Sequence, residues 1–119
     1  MATMSKTILS GSTGGAPVKV VATDITSSPT EIHAGSASST AHLDIVTLYL
    51  YNSNTSVELV VLKIAGSADV LKFSLNPDET ILALDGVPLS GHGSSAYKIE
   101  AASDTANKIM VYGSVVKVR

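Results

Sequence analysis

The sequence predicts an all-β protein, an antiparallel β-sandwich or jelly roll of about eight strands. Three observations predict it. Short segments alternating around Val, Ile, Thr and Tyr recur about every ten residues. Clusters of Gly, Pro, Asn, Asp and Ser separate them, and these are the residues that turns require. No stretch keeps a helical apolar period for longer than a turn. A chain of 119 residues fits one domain with one core. Residues 17–119 are assigned to that domain and residues 1–16 to a flexible N-terminal arm.

The elements follow in order. Residues 1–16 hold six Ser/Thr and three Gly, with Ile8 and Leu9 as the adjacent apolar anchors, so at most one short strand is expected, around residues 6–10. Residues 17–23 (PVKVVAT) and 30–34 (TEIHA) read as strands on either side of a Ser-Ser-Pro break. The strongest signal is HLDIVTLYLY at residues 42–51. It is joined through Asn52-Ser53-Asn54-Thr55-Ser56 to VELVVLKI at 57–64, which predicts a β-hairpin with a five-residue loop. Residues 65–67 (Ala-Gly-Ser) end that strand. Residues 69–75, 79–84, 97–102 and 108–118 supply four more, with turns expected at Asn76-Pro77-Asp78 and at Asp85-Gly86. Gly113, inside the last strand, predicts a bulge or a close backbone approach.

The long strand carries a second message. Val46, Leu48 and Leu50 share one face, and Ile45, Tyr49 and Tyr51 share the other. An antiparallel sheet with one face in water alternates to polar on that side, and this one does not. The last strand repeats the feature, with Ile109, Val111 and Val115 on one face and Met110, Tyr112 and Val116 on the other. The aliphatic face suits the core. The tyrosine face suits a subunit interface, because Tyr brings apolar area together with a hydroxyl that tolerates water. Ile45, Tyr49, Tyr51 and Tyr112 are therefore the candidate interface residues. The rival explanation is that the N-terminal arm or a loop covers this face within one chain.

Composition narrows the function. Charged residues make up only 15% of the chain, against about 25% in ordinary domains, while Ser and Thr number 28 and mean hydropathy is positive. A free monomer keeps itself soluble with interspersed charge, so a covered surface within an assembly is expected. The formal charge of -2 is scattered, with no basic cluster to meet phosphates, and no nucleic-acid partner is expected. No apolar run approaches the roughly 20 residues that cross a bilayer. The opening MATMSKTILSGSTGG does not have the form of an export signal, so a soluble chain with no membrane partner is expected. The absence of cysteine removes disulfides, thiolate metal sites and Cys nucleophiles.

The candidate chemistry is sparse. His42 and Asp44 lie two apart on a strand, a spacing that lets a carboxylate orient an imidazole, but no nucleophile elbow accompanies them. His33, His42 and His92 lack the short spacings of local metal sites. His92 lies in Ser90-Gly91-His92-Gly93-Ser94-Ser95, which lacks the Lys-Ser/Thr and helix of a phosphate-binding loop, so a mobile loop is expected. Asn54-Thr55-Ser56 has the form of a glycosylation acceptor, but turn formation already accounts for its composition. No catalytic, cofactor-binding or metal-ligating residue is assigned, and the chain is expected not to be an enzyme. A sugar-stacking platform of surface tyrosines is the remaining binding-module alternative, made unattractive by four Tyr, one Phe and no Trp.

Taken in order, LDIVTLYLYN at 43–52 with its expected hairpin partner, DGVPLSG at 85–91 and AASDTANKIMVYG at 101–113 resemble small virion structural proteins of tailed bacteriophages. The opening SGSTGGAPVKV at 10–20 and the TEIHA segment ahead of a Ser/Thr loop resemble them too, and the likeness spans about residues 15–119. It implies a capsid decoration or cement protein, a homo-oligomer with a trimer favoured, bound to the major capsid protein on the outer shell. The implied location is the virion surface, after synthesis in the host bacterial cytoplasm. Another virion component, a tail or head-fibre part, is the nearest alternative.

Overall fold

Alternation along the long strand decides where the core sits. In the computed structural model, which describes residues 3–67 and 69–119, every second residue from Asp44 to Asn52 is buried, and Val46, Leu48 and Leu50 lose all their exposure. β-branched and aromatic residues fill the intervening positions, a composition that favours extended backbone. Nine strands are described: β1 (Met4–Thr7), β2 (Val18–Lys19), β3 (Thr30–Ala34), β4 (Leu43–Asn52), β5 (Glu58–Ile64), β6 (Val70–Leu75), β7 (Thr80–Ser90), β8 (Lys98–Ser103) and β9 (Ile109–Val118). The described residues contain no helix.

The strands form two antiparallel sheets packed face to face. One has the order β1-β9-β4-β7, with β2 also paired to β9, and the other has the order β3-β8-β5-β6. The pairs β1/β2 with β9, β3 with β8, β4 with β7 and β5 with β6 nest inside one another. That nesting is a long hairpin rolled into two sheets, which makes the sandwich a jelly roll. The core between the sheets joins Val46, Leu48, Leu50, Ile109, Val111 and Val115 of the first sheet to Ile32, Val60, Leu62, Ile99 and Ala101 of the second. Full burial of one such side chain contributes about 1.5–3 kcal/mol.

The fold corrects two local expectations. The β4–β5 hairpin does not form: β4 pairs with β7 and β9, and β5 pairs with β6 and β8, so the five-residue loop carries the chain from one sheet to the other. Asn52 directs this crossing. Its buried amide nitrogen donates to the carbonyls of Ser56, Leu75 and Asn76, and its oxygen accepts from Asn54 N–H, which curls the loop toward the end of β6. Second, Asp85-Gly86 is not a turn. β7 runs through it, and the pairing with β4 slips between Val46 and Leu48 and again between Leu48 and Tyr49. Gly86 takes φ +64° and donates its N–H to Thr47 Oγ1, absorbing the slip as a bulge. Pro88 is tolerated because β7 is an edge strand.

Residues 3–16, read as part of the arm, contribute β1, paired along β9, and Leu9, 1% exposed in the core. Residues 1 and 2 lie outside the described residues. Gly113 answers to close approach: β9 stays in register with β4 across it, and a Cβ there would come within 1.9 Å of Thr47 O.

Candidate interaction surface

The register of β4 against its neighbours builds one continuous outward face. Directly opposed residues of an antiparallel pair share a face. Ile45 therefore stands beside Val116, Thr47 beside Ser114, Tyr49 beside Tyr112 and Tyr51 beside Met110. On the β7 side Tyr49 neighbours Leu82, Tyr51 neighbours Thr80 and Ile45 neighbours Pro88. The four candidate interface residues, Ile45, Tyr49, Tyr51 and Tyr112, are thus brought together on one side of the two central strands.

The centre of this face is aromatic. The Tyr49 and Tyr112 rings stack with centroids 5.3 Å apart and planes 12° from parallel, and each residue keeps 37% of its surface exposed. Leu82, at 47%, extends the apolar area toward β7. Tyr51 donates its hydroxyl to Asp78 Oδ1 at 2.8 Å, and this hydrogen bond to a carboxylate raises the phenol above its ordinary range. β1 lies beside the face as an added strand, so the N-terminal segment extends this sheet.

The polar residues go elsewhere. Asp44, paired by sequence spacing with His42, instead meets His33 of the opposite sheet at 2.7 Å. A bulge in β3 between Glu31 and His33 turns both Ile32 and His33 inward, which is why sequence alternation did not single out His33. Ser10 N–H donates to His33 Nδ1 at 3.0 Å, so that nitrogen carries no proton, and Nε2 carries the one donated to Asp44 Oδ2. Arg119 Nη1 lies 2.9 Å from Asp44 Oδ1, while its hydrogens point to the Leu43 and Val118 carbonyls. Oδ1 thus receives charge compensation without a directed hydrogen bond. Both imidazole nitrogens are engaged and the ring is 1% exposed, an arrangement that ties the sheets together and leaves no free base.

The His42 ring bonds the Ser36 and Ser38 hydroxyls, whereas the His92 ring packs on Tyr97 at 4.4 Å while its backbone N–H donates to the Ser36 carbonyl. The two rings thus have different side-chain partners, although their backbones meet at Ser36 and Gly91. Among the described residues no group of three or more His, Cys, Asp or Glu is placed to hold a metal ion. The glycine-rich stretch is anchored at its start: Gly91 is buried, and a Cβ on it would come within 1.8 Å of Ser39 O. Beyond it His92, Tyr97, Lys98 and Glu100 edge an open depression of about 340 Å³. At the far end of the sandwich Glu58, 2% exposed, accepts from Thr105 N–H, Thr105 Oγ1 and Asn54 Nδ2. Asn54 is thereby committed to the loop.

No protein-family model matches the chain, and no curated protein does. Among solved structures it is similar to a chain of the T13 IBDV viral particle, a crystal structure, at a TM-score of 0.55 and 8% identity. The match covers 98% of this chain and 31% of that one, so this chain spans less than a third of its neighbour's length. At that identity the likeness is one of fold.

Proposed function

We propose that the protein is a structural component of a virus particle, of the capsid decoration or cement type. In this reading it sits as an oligomer on the outer face of the major capsid protein shell of a tailed bacteriophage and stabilises that shell. The observation that carries the proposal is the Tyr49–Tyr112 stack at the centre of a sheet face whose two central strands carry no outward charge, which leaves apolar area suited to another protein. The fold likeness to a chain of a viral particle and the low charge of the whole chain support it. Clamping neighbouring capsid subunits raises the free energy needed to separate them without any chemistry. Many modest contacts repeated over a symmetric shell act together. The test is to purify the particle, count copies of this chain and locate it in an image reconstruction. Hundreds of copies on the outer shell are expected, together with shell disassembly at lower temperature in particles that lack it. A handful of copies at the tail assigns it to another virion component, and absence from the particle overturns the proposal.

A further inference from the structure

The outward face of the β1-β9-β4-β7 sheet has an order of charge that its apolar centre conceals. Its edge formed by β1 and β2 presents Lys6 and Lys19, both exposed, and these two strands contain no acid. The opposite edge, from the turn before β7 through that strand, presents Asp78 and Asp85, both exposed, and residues 78–90 contain no base. Between them the outward positions of β4 and β9 carry no charge: Leu43, Ile45, Thr47, Tyr49 and Tyr51, then Met110, Tyr112, Ser114, Val116 and Val118. The face is basic, apolar and acidic from one side to the other.

Such a surface is complementary to itself under one operation. Place a twofold axis in the plane of the face, parallel to the strands and between β4 and β9. The axis exchanges the two edges and keeps each residue at its own level along the strand. Lys19 lies level with Met110, Tyr51 and Thr80, so it meets the partner's Thr80 level, where Asp78 sits bonded to Tyr51. Lys6 lies level with Val116, Ile45 and Pro88, and so comes to the partner's Pro88 end of β7, three residues along that strand from Asp85. Tyr49 of one copy falls over Tyr112 of the other. Three strands of ten or eleven residues, with the four of β1 and two of β2 at the edge, about 4.8 Å apart and rising about 3.3 Å per residue, give a footprint of roughly 600 Å². Specific interfaces bury about 600–1,000 Å² per partner.

We infer that this face binds a second copy of the same chain, sheet against sheet about a twofold axis along β4 and β9. The inference rests on the reading of the tyrosine face as a protein contact and names its occupant. A threefold ring does not bring this face against itself, so pairing departs from the trimer that the sequence resemblance implies.

The test uses the full chain in solution. Native mass measurement should give twice the 12.2 kDa of one chain, and a zero-length carbodiimide should join Lys19 of one copy to Asp78 of the other. Those two residues lie on opposite edges of one sheet, about 14 Å apart at ~4.8 Å per strand, too far for that linkage within a chain. Two reversed-edge variants sharpen the result. Lys6→Glu with Lys19→Glu makes both edges acidic, and Asp78→Lys with Asp85→Lys makes both basic. Each alone should weaken self-association at least tenfold, and an equimolar mixture should restore a one-to-one pair. A monomeric or trimeric native chain overturns the inference, as does a mixture that stays dissociated while both variants keep the native unfolding midpoint. If a reversed-edge variant does not fold, the mass and cross-link of the native chain decide alone. A monomer found on the outer shell overturns pairing and leaves the shell-stabilising role standing, whereas a stable pair absent from particles does the reverse.

Discussion

The two outward faces of the sandwich belong to the same short chain and are built in opposite ways. On the β3-β8-β5-β6 sheet the outward positions carry Glu31, Lys63, Lys72, Lys98 and Glu100, with Lys63 opposite Glu100 and Lys98 3.2 Å from Glu31. Interspersed charge of both signs keeps that side in water. On the β1-β9-β4-β7 sheet the central strands carry no outward charge at all. The core requires one apolar face from each sheet, and both supply it. What differs is the side the core does not need. That side carries charge of both signs on one sheet and none along the central strands of the other.

The largest effect should come from splitting the apolar sheet at its middle. Gly113→Ala drives a Cβ into Thr47 O, and neither backbone can yield without parting β9 from β4. A loss of more than about 3 kcal/mol is expected from equilibrium urea unfolding. Retention of the native midpoint would show that the two strands are held less tightly than the register implies.

Next comes the link between the sheets. His33→Ala leaves Asp44 buried without its imidazole, and should cost on the order of 3 kcal/mol. Asp44→Asn, which keeps an acceptor for His33 Nε2–H, should cost less. If the two variants proved equally destabilised, the carboxylate charge held beside Arg119 would matter more than its hydrogen bond to His33.

Changes on the outward faces should be smaller, and here the comparison is direct. Replacing both Tyr49 and Tyr112 by Ser removes the cross-strand stack and should lower monomer stability by about 1 kcal/mol. It should also abolish association of the chain, as measured by native mass. Lys98→Ala on the charged face breaks an ion pair that is half exposed on both sides and should change stability by less than about 0.5 kcal/mol, with association intact. Equal effects of the two faces on association would erase the distinction between them.

The smallest effect lies off both faces. The Thr26 hydroxyl and Thr26 N–H both donate to Asp24 Oδ1, and they hold this carboxyl below its ordinary 3.8. A depressed folded-state value contributes stability at pH above 3.8 that disappears as pH falls through the folded value. A carboxyl-detected NMR titration should place the Asp24 midpoint below 3.8. Asp24→Asn should remove that small part of the acid sensitivity and leave both faces unchanged.

Much of this was legible in the chain because the period of a strand is two. The alternation in residues 43–52 and 109–118 separates Val46, Leu48 and Leu50 from Tyr49, and Val111 from Tyr112, before any fold is known. Strand pairing was not legible. A five-residue polar loop serves a hairpin or a crossing between sheets equally well, and Asn52 selects the crossing through carbonyls of residues 75 and 76 that are distant in sequence. Asp85-Gly86 fits a turn and a bulge alike, since both exploit the positive φ of glycine. The pairing of His33 with Asp44 was not legible because a bulge breaks the period that would have turned His33 outward.

The sequence by itself determined the class of fold, the positions of most strands and the apolar character of both sides of β4 and β9, because these follow from local alternation and turn chemistry. Only the tertiary structure decided that β4 lies between β9 and β7, that Asp44 belongs with His33, and that two tyrosines 63 positions apart stack on one face. The physical reason is that pairing and stacking are contests among distant segments for the same edges and the same buried space, and they are settled when the whole core closes.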